Sequence, residues 1–153
     1  MPETLLPVPR FSIPLKAVTV NGRSLAVCLT PLANGDVFGG FAFYTPASGT
    51  WTNTGPTPPG FAAAAGPPTA TLLTNSNVLM TGFTQVCRGC GPKPSSGALL
   101  FEFATNTKVT TGDMNVARVN DSAVRLPSGL VLVSGGVSQI FGQPIASAEL
   151  YTP

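Results

Sequence analysis

The chain has 153 residues, a mass of 15.6 kDa and a net charge of +2, from eight Lys+Arg against six Asp+Glu. That length suits one domain of ordinary size. Charged residues make up only 9%, against roughly 25% in an average soluble protein. The basic residues stand singly, so no stripe exists to follow a nucleic-acid backbone. Histidine is absent, which removes from these residues Ser–His–Asp and Cys–His catalysis, histidine metal sites and a histidine pH switch.

Apolar residues supply 43% of the chain. With so little charge, it can bury enough surface to offset the entropy of ordering. No stretch approaches 18 consecutive apolar residues, so no membrane-spanning helix is expected. The N-terminal MPETLLPVPRFSIPL lacks a basic start and is interrupted by Pro2, Pro7, Pro9 and Pro14, which makes it a poor signal peptide. The Thr-, Gly- and Pro-rich composition is nonetheless of the kind found in extracellular or cell-surface β-proteins. The compartment stays open between these two indications.

In chain order, residues 1–23 form an N-terminal segment whose Ala17–Val20 has the alternation of a short strand. Further strands are expected at 24–29, 69–73, 78–82, 98–103, 108–111, 122–126, 130–134 and 146–151, each bounded by turn residues. No helical period is sustained anywhere, because Gly 17 and Pro 16 interrupt almost every window of helical length. The alanine run 62–65 is closed by Gly60 and by Gly66-Pro67-Pro68, too short to nucleate a helix alone. The fold class is therefore all-β.

The strongest signal is internal repetition. TATLLTNSNVLMTG at 69–82 lies over SAVRLPSGLVLVSG at 122–135 with a constant offset and no gap. A shorter relative spans 25–40, with Asn34-Gly35 as its tight turn and Gly39-Gly40 at its end. A second element, FYTPASGTW at 43–51, lies over FEFATNTKV at 101–109, and its first half returns as AELYTP at 148–153. The turns have a mechanism: Asn34-Gly35, Asn75-Ser76, Ser128-Gly129 and Pro46–Gly49 all suit positions where φ must be positive. Each unit thus reads as four short antiparallel strands, the arrangement of a propeller blade.

These residues resemble the kelch repeat family. The closest stretch is ARVNDSAVRLPSGLVLVSGG followed by SAELYTP, and FYTPASGTWTNTG adds to it. The resemblance covers about 24–153 and implies kelch-like β-propeller blades of four-stranded antiparallel sheets. About three blades are expected, at 24–66, 67–116 and 117–153. A closed propeller typically needs four to eight, so the chain is a partial propeller, as a piece of a longer one or a degenerate relic, or half of a ring that two copies close as a homodimer, or another all-β fold. The resemblance also implies that a terminal strand can complete an unfinished blade, a role that 16–20 could fill. Departures are the missing histidine, with Asn120-Asp121-Ser122 in its usual stretch, and a single Gly82 where the third unit has Gly135-Gly136.

Three functions compete. The first is a non-enzymatic kelch-like module that binds a protein or a carbohydrate ligand. The second is a sugar-acting or glycan-binding kelch-type enzyme, or a fragment of one. Copper-radical oxidases share the propeller, but their site needs histidine ligands and a tyrosine pair, whereas Tyr44 and Tyr151 share one repeated strand position. No cofactor, metal site, nucleic-acid partner or membrane partner is expected. The binding candidates are Arg88 and Lys93, on the long insertion 85–96, and Arg118 and Asp121, on the connection entering the third unit. The third function is a role for Cys87-Arg88-Gly89-Cys90. This CxxC reads as a redox dithiol, as half of a zinc site short of ligands, or as a loop disulfide or free thiols, with Cys28 as the odd cysteine. Trp51, placed level with Val109, is expected to pack in the core.

Overall fold

A computed structural model of the chain describes residues 17–20, 23–31, 37–45, 47–62, 68–85, 89 and 91–153. These residues are all-β, with no helix among them, and form a partial propeller. The first sheet runs β1 (Ala17–Val20), β2 (Arg23–Pro31), β3 (Val37–Thr45) and β4 (Thr50–Pro56), in that order and antiparallel. The second has β5 (Thr69–Leu72), β6 (Val78–Thr81), β9 (Leu99–Glu102) and β10 (Thr107–Thr110), with a small ribbon of β7 (Thr84–Gln85) and β8 (Lys93–Pro94) inserted after β6. The third has β11 (Ser122–Arg125), β12 (Val131–Ser134) and β13 (Ala148–Tyr151). β5 touches both β1 and β11. The first strands of the three sheets therefore adjoin, and the sheets fan outward as propeller blades do.

Side-chain alternation explains the stacking. In β5, β9 and β12 buried and half-buried residues alternate, whereas all of β6 is buried. β6 is covered on both faces, and Val78-Leu79-Met80 is accordingly a continuous apolar run. One of its faces joins Val78, Met80, Phe83, Leu99 and Phe101 in a core cluster. The other joins Leu79, Leu73 and Ala98 to Val131 and Val133 of the third sheet. Each such fully buried side chain contributes about 1.5–3 kcal/mol, so the contact between sheets is a main source of stability.

The hairpin turns fall where the sequence places them. Ser76, Gly129 and Gly49 have φ of 67°, 89° and 66°, and the Asn75 side chain accepts from Asn77 N at 3.1 Å. Antiparallel pairing of β2 with β3 likewise flanks Asn34-Gly35, two positions outside the described residues.

Four expectations are corrected. First, Ala17–Val20 does not complete a distant blade; it pairs with β2 through Val20↔Arg23 and opens the first sheet, which therefore begins before residue 24. The two residues between that pair are Asn21-Gly22, a dipeptide that favours a tight hairpin. Second, 37–45 is one nine-residue strand rather than the end of one strand and the start of the next, so Asn34-Gly35 joins second to third strand. Third, Thr45↔Thr50 and Glu102↔Thr107 close equivalent turns, which sets Trp51 level with Lys108 instead of Val109. Neither position is a core one: Trp51 is 51% and Val109 37% exposed, each on the edge strand of its sheet. Fourth, the insertion 85–96 is not wholly irregular, since Thr84↔Pro94 and Gln85↔Lys93 pair.

Candidate functional site

Register fixes which connections share an edge of the fan. Thr69 pairs with Thr81, Leu99 with Met80 and Thr110, and Ser134 with both Ser122 and Ala148. The segments 82–98, 111–121 and 135–147 therefore leave from one edge, and the tight hairpins turn at the other. The two regions singled out in the sequence, the insertion and the connection into the third unit, do lie together.

The segment 82–98 is anchored by its ribbon. Ala62 and Thr84 exchange main-chain hydrogen bonds at 2.8 and 2.6 Å, and Ser95 N donates to Phe83 O at 2.8 Å. The Phe61 and Phe83 rings meet edge-to-face at 5.2 Å. Lys93 projects from β8 and is exposed. Cys87, Arg88 and Cys90 lie outside the described residues.

The segment 135–147 is shorter and differently held. Val119 and Val137 exchange hydrogen bonds at 3.1 and 3.0 Å, and Ile145 N donates to Gly136 O at 2.9 Å. At the tip, Gly142 N donates to Gln139 O at 2.9 Å. Phe141 sits in this turn with φ of 65° and is 102% exposed. The sequence reading missed it. The available signal was an aromatic between Ile140 and Gly142-Gln143-Pro144, in a loop with no neighbouring apolar strand to receive it.

Arg118 is the hub beneath this edge. Its guanidinium donates to Gly135 O and Ser147 O, each at 3.0 Å, to Ser147 Oγ at 3.1 Å and to Glu149 Oε1 at 2.8 Å. Its side chain is 0% exposed and that of Glu149 is 13% exposed. Glu149 also accepts from Asn115 N, from Asn115 Nδ2 at 2.9 Å and from Val116 N at 3.0 Å. Partial burial pushes the Glu149 carboxyl up, but hydrogen bonds from Asn115 N, Arg118, Val116 N and the Asn115 side chain outweigh it and hold the group below its usual value. One ion pair thus ties 111–121, 135–147 and β13 together.

Asp121 is 3% exposed. Its Oδ2 accepts from Thr81 Oγ1 at 2.7 Å, and its main-chain oxygen accepts from Thr69 Oγ1 at 3.1 Å. The other carboxylate oxygen is buried without a partner among the described residues and lies over Gly82, where a Cβ would strike it. Arg118 and Asp121 are therefore not contact residues on an open loop, as the sequence reading expected. They are interior groups, because their partners at Glu149, Ser147, Thr81 and Thr69 come from distant positions. Of the four binding candidates, Lys93 alone is exposed among the described residues.

A pocket of about 70 Å³ opens between the second and third sheets, lined by Thr81, Asp113, Met114, Asn115, Glu149 and Tyr151 among others. Ligand pockets are typically several hundred Å³, so this one is too small for a sugar ring. Tyr151 OH and Thr111 Oγ1 are hydrogen-bonded at 2.8 Å. On the outer strands, Lys108 Nζ donates to Thr54 O at 3.0 Å and Gly55 O at 2.7 Å, linking first and second sheets. Burial lowers this ammonium to about 8.

No protein-family model matches the sequence, and no curated protein does. Among solved structures, the chain is similar to a fungal alcohol oxidase of the AA5 family solved in complex with copper. The likeness has a TM-score of 0.62 at 15% identity, over 91% of this chain and 28% of the oxidase. It establishes the fold, and the chain spans little more than a quarter of that relative's length. The donor set here does not fit copper: the sequence has no histidine, and among the described residues no three His, Cys, Asp or Glu side chains converge.

Proposed function

We propose that the chain is a non-enzymatic binding module of kelch-type propeller sheets, whose loop edge takes a protein or carbohydrate ligand. The observation that carries this reading is Phe141, fully exposed at the tip of a turn with a positive φ. An aromatic held out on a braced loop offers a large, low-entropy surface to an apolar side chain or a sugar face. Lys93, exposed on the adjoining ribbon, adds a cation to the same edge, and Arg88 belongs to the same insertion. Arg118 and Asp121 act as positioning residues under it. The repeated Gly-terminated second strands and AELY-type third strands support the kelch assignment within the observed fold.

The experiment is a glycan array and a peptide-display selection on the immobilised full chain, repeated with Phe141→Ser and Lys93→Glu. The expected outcome is a ligand whose affinity falls at least tenfold with Phe141→Ser, while circular dichroism is unchanged. Ligands retained equally by both variants would overturn the reading.

The fold likeness to an alcohol oxidase favours a second reading, in which these sheets are the scaffold of a sugar- or alcohol-acting enzyme. The reacting groups would then come from outside the described residues, among which no side chains form a catalytic set. Turnover of a sugar or primary alcohol by the chain would establish that reading instead.

A further inference from the structure

The third sheet presents an open face. Val124 pairs with Leu132, and Leu132 with Leu150, so the three stand in one row across the sheet and project from the same side. Val124 is 55% and Leu150 58% exposed. The register gives each member an equivalent in the second sheet, where Thr71 pairs with Leu79 and Leu79 with Leu100. There the row is covered: Thr71 and Leu79 are buried, and Leu79 and Leu100 pack against Val131, Val133 and Ala123 of the third sheet. The same row thus serves as an interface one sheet earlier and is uncovered one sheet later.

By sequence and register, the first sheet carries residues of the matching kind. Its positions equivalent to Ala123, Val133 and Tyr151 are Ala17, Ala26 and Tyr44, by the pairings Ala17↔Ala26 and Ser24↔Tyr44. All three are uncharged, and Thr19, on the same face of β1 by register, is exposed. We propose that the Val124–Leu132–Leu150 face docks the first sheet of a second copy of this chain, so that two copies close one ring of six sheets. Each copy gives its third sheet and receives on its first. The two contacts are equivalent by a two-fold axis, and assembly stops at two. Six sheets fall within the range of about four to eight in which propellers close.

The test is the absolute mass of the full chain, by light scattering on a size-exclusion column over a hundredfold range of concentration. The expected mass is twice the 15.6 kDa of one chain. Val124→Glu and Leu150→Glu should each return the mass to that of one chain, with an unchanged β spectrum, because both sites are open in a single copy and a charge disturbs only the docked state. Lys93→Glu, on the loop edge, should leave the mass at two chains. A wild-type monomer with a native spectrum at the highest concentration overturns the proposal. So does an open-ended series of oligomers, or a dimer indifferent to both substitutions on the row.

Discussion

Replacing Glu149 by leucine removes the carboxylate that faces a guanidinium with 0% side-chain exposure. Removing one partner of a buried pair costs about 3–5 kcal/mol, because the remaining charge is left without compensation. That is a large share of the ~5–15 kcal/mol that holds a domain together. The second sheet indicates how the loss can be relieved. The positions equivalent to Arg118 and Glu149 are Ala65, by the sequence offset, and Leu99, by register. Both members of the pair are absent there together, and Leu99 is fully buried. Arg118→Ala combined with Glu149→Leu should therefore lose less than the sum of the single changes, with a coupling of at least about 2 kcal/mol. It should still fall below wild type, because Gly135 O, Asn115 N and Val116 N lose partners worth about 1 kcal/mol each. Urea unfolding followed by circular dichroism measures all four corners of the cycle. Glu149→Gln, which keeps an acceptor, provides a milder loss of about 1.5–3 kcal/mol should the leucine variant not fold. Additive losses, or a leucine variant as stable as wild type, would refute the view that this pair secures the loop edge.

Other outcomes follow from single positions. Gly136→Ala places a Cβ 2.5 Å from Val119 O at φ of 82°, so it should destabilise more than Gly129→Ala. At Gly129 the Cβ meets only Thr74 Cγ2 at 3.7 Å, and the cost is the ~1–2 kcal/mol of the backbone region alone; thermal melts of the pair rank them. Thr71 Oγ1 is buried without a partner among the described residues, so Thr71→Val should raise stability by about 1 kcal/mol, and a lower urea midpoint would contradict this. Lys108 releases its proton at about 8 in the folded chain against 10.5 ordinarily. The unfolded chain then binds more protons between these values, and stability attributable to Lys108 should rise with pH from about 8 to 10.5. Urea midpoints of wild type, compared with Lys108→Met across that range, test the sign. The Glu149 carboxyl is held below 4.5, so its contribution is present above that pH and lost as acid protonates the folded form. The acid-induced fall should be shallower in Glu149→Leu, and an identical slope would oppose the assignment.

The strand pattern was legible where local chemistry dictates it. The offset that lays 69–82 over 122–135 is the one the sheets display, because a strand, a turn needing φ > 0 and a second strand carry their instructions within 14 residues. The first unit was misread because its Gly39-Gly40 imitates the end of a second strand. Only the long pairing of β2 with β3 shows that those glycines lie inside a third strand. Trp51 was misplaced for a related reason. The turns 46–49 and 103–106 have equal length, and aligning aromatics rather than turn residues shifts the register by one. The site was less legible than the fold. Arg118 and Glu149 stand 31 residues apart, and nothing in either segment announces the other. A lone arginine in a loop-like connection reads as solvent-exposed until the carbonyls around it are located. Phe141 carries the opposite lesson: an aromatic reads as core material, and only the tight turn beneath it holds the ring outside.

The two long connections on the loop edge are held by different physical means, and that bears on what the edge can do. In the second sheet, Phe83 fills the position taken by Gly136 in the third, and its ring packs on Phe61. Apolar packing there leaves no need for a charge, and the positions equivalent to the ion pair are Ala65, by the sequence offset, and Leu99, by register. In the third sheet Gly136 admits the backbone of 119–121 at close range. The space is too narrow for an aromatic, and the carbonyls of Gly135 and Ser147 turn inward instead. An arginine is the side chain whose planar fork satisfies several carbonyls and a carboxylate at once. The buried charge is therefore a consequence of bringing three segments of main chain together where no side chain fits between them. Its geometry fixes the two ends of 135–147, at Gly135 and Ser147, and so fixes the loop that carries Phe141. The ring is exposed, but its support is among the most constrained parts of the molecule, which is the combination a contact surface requires.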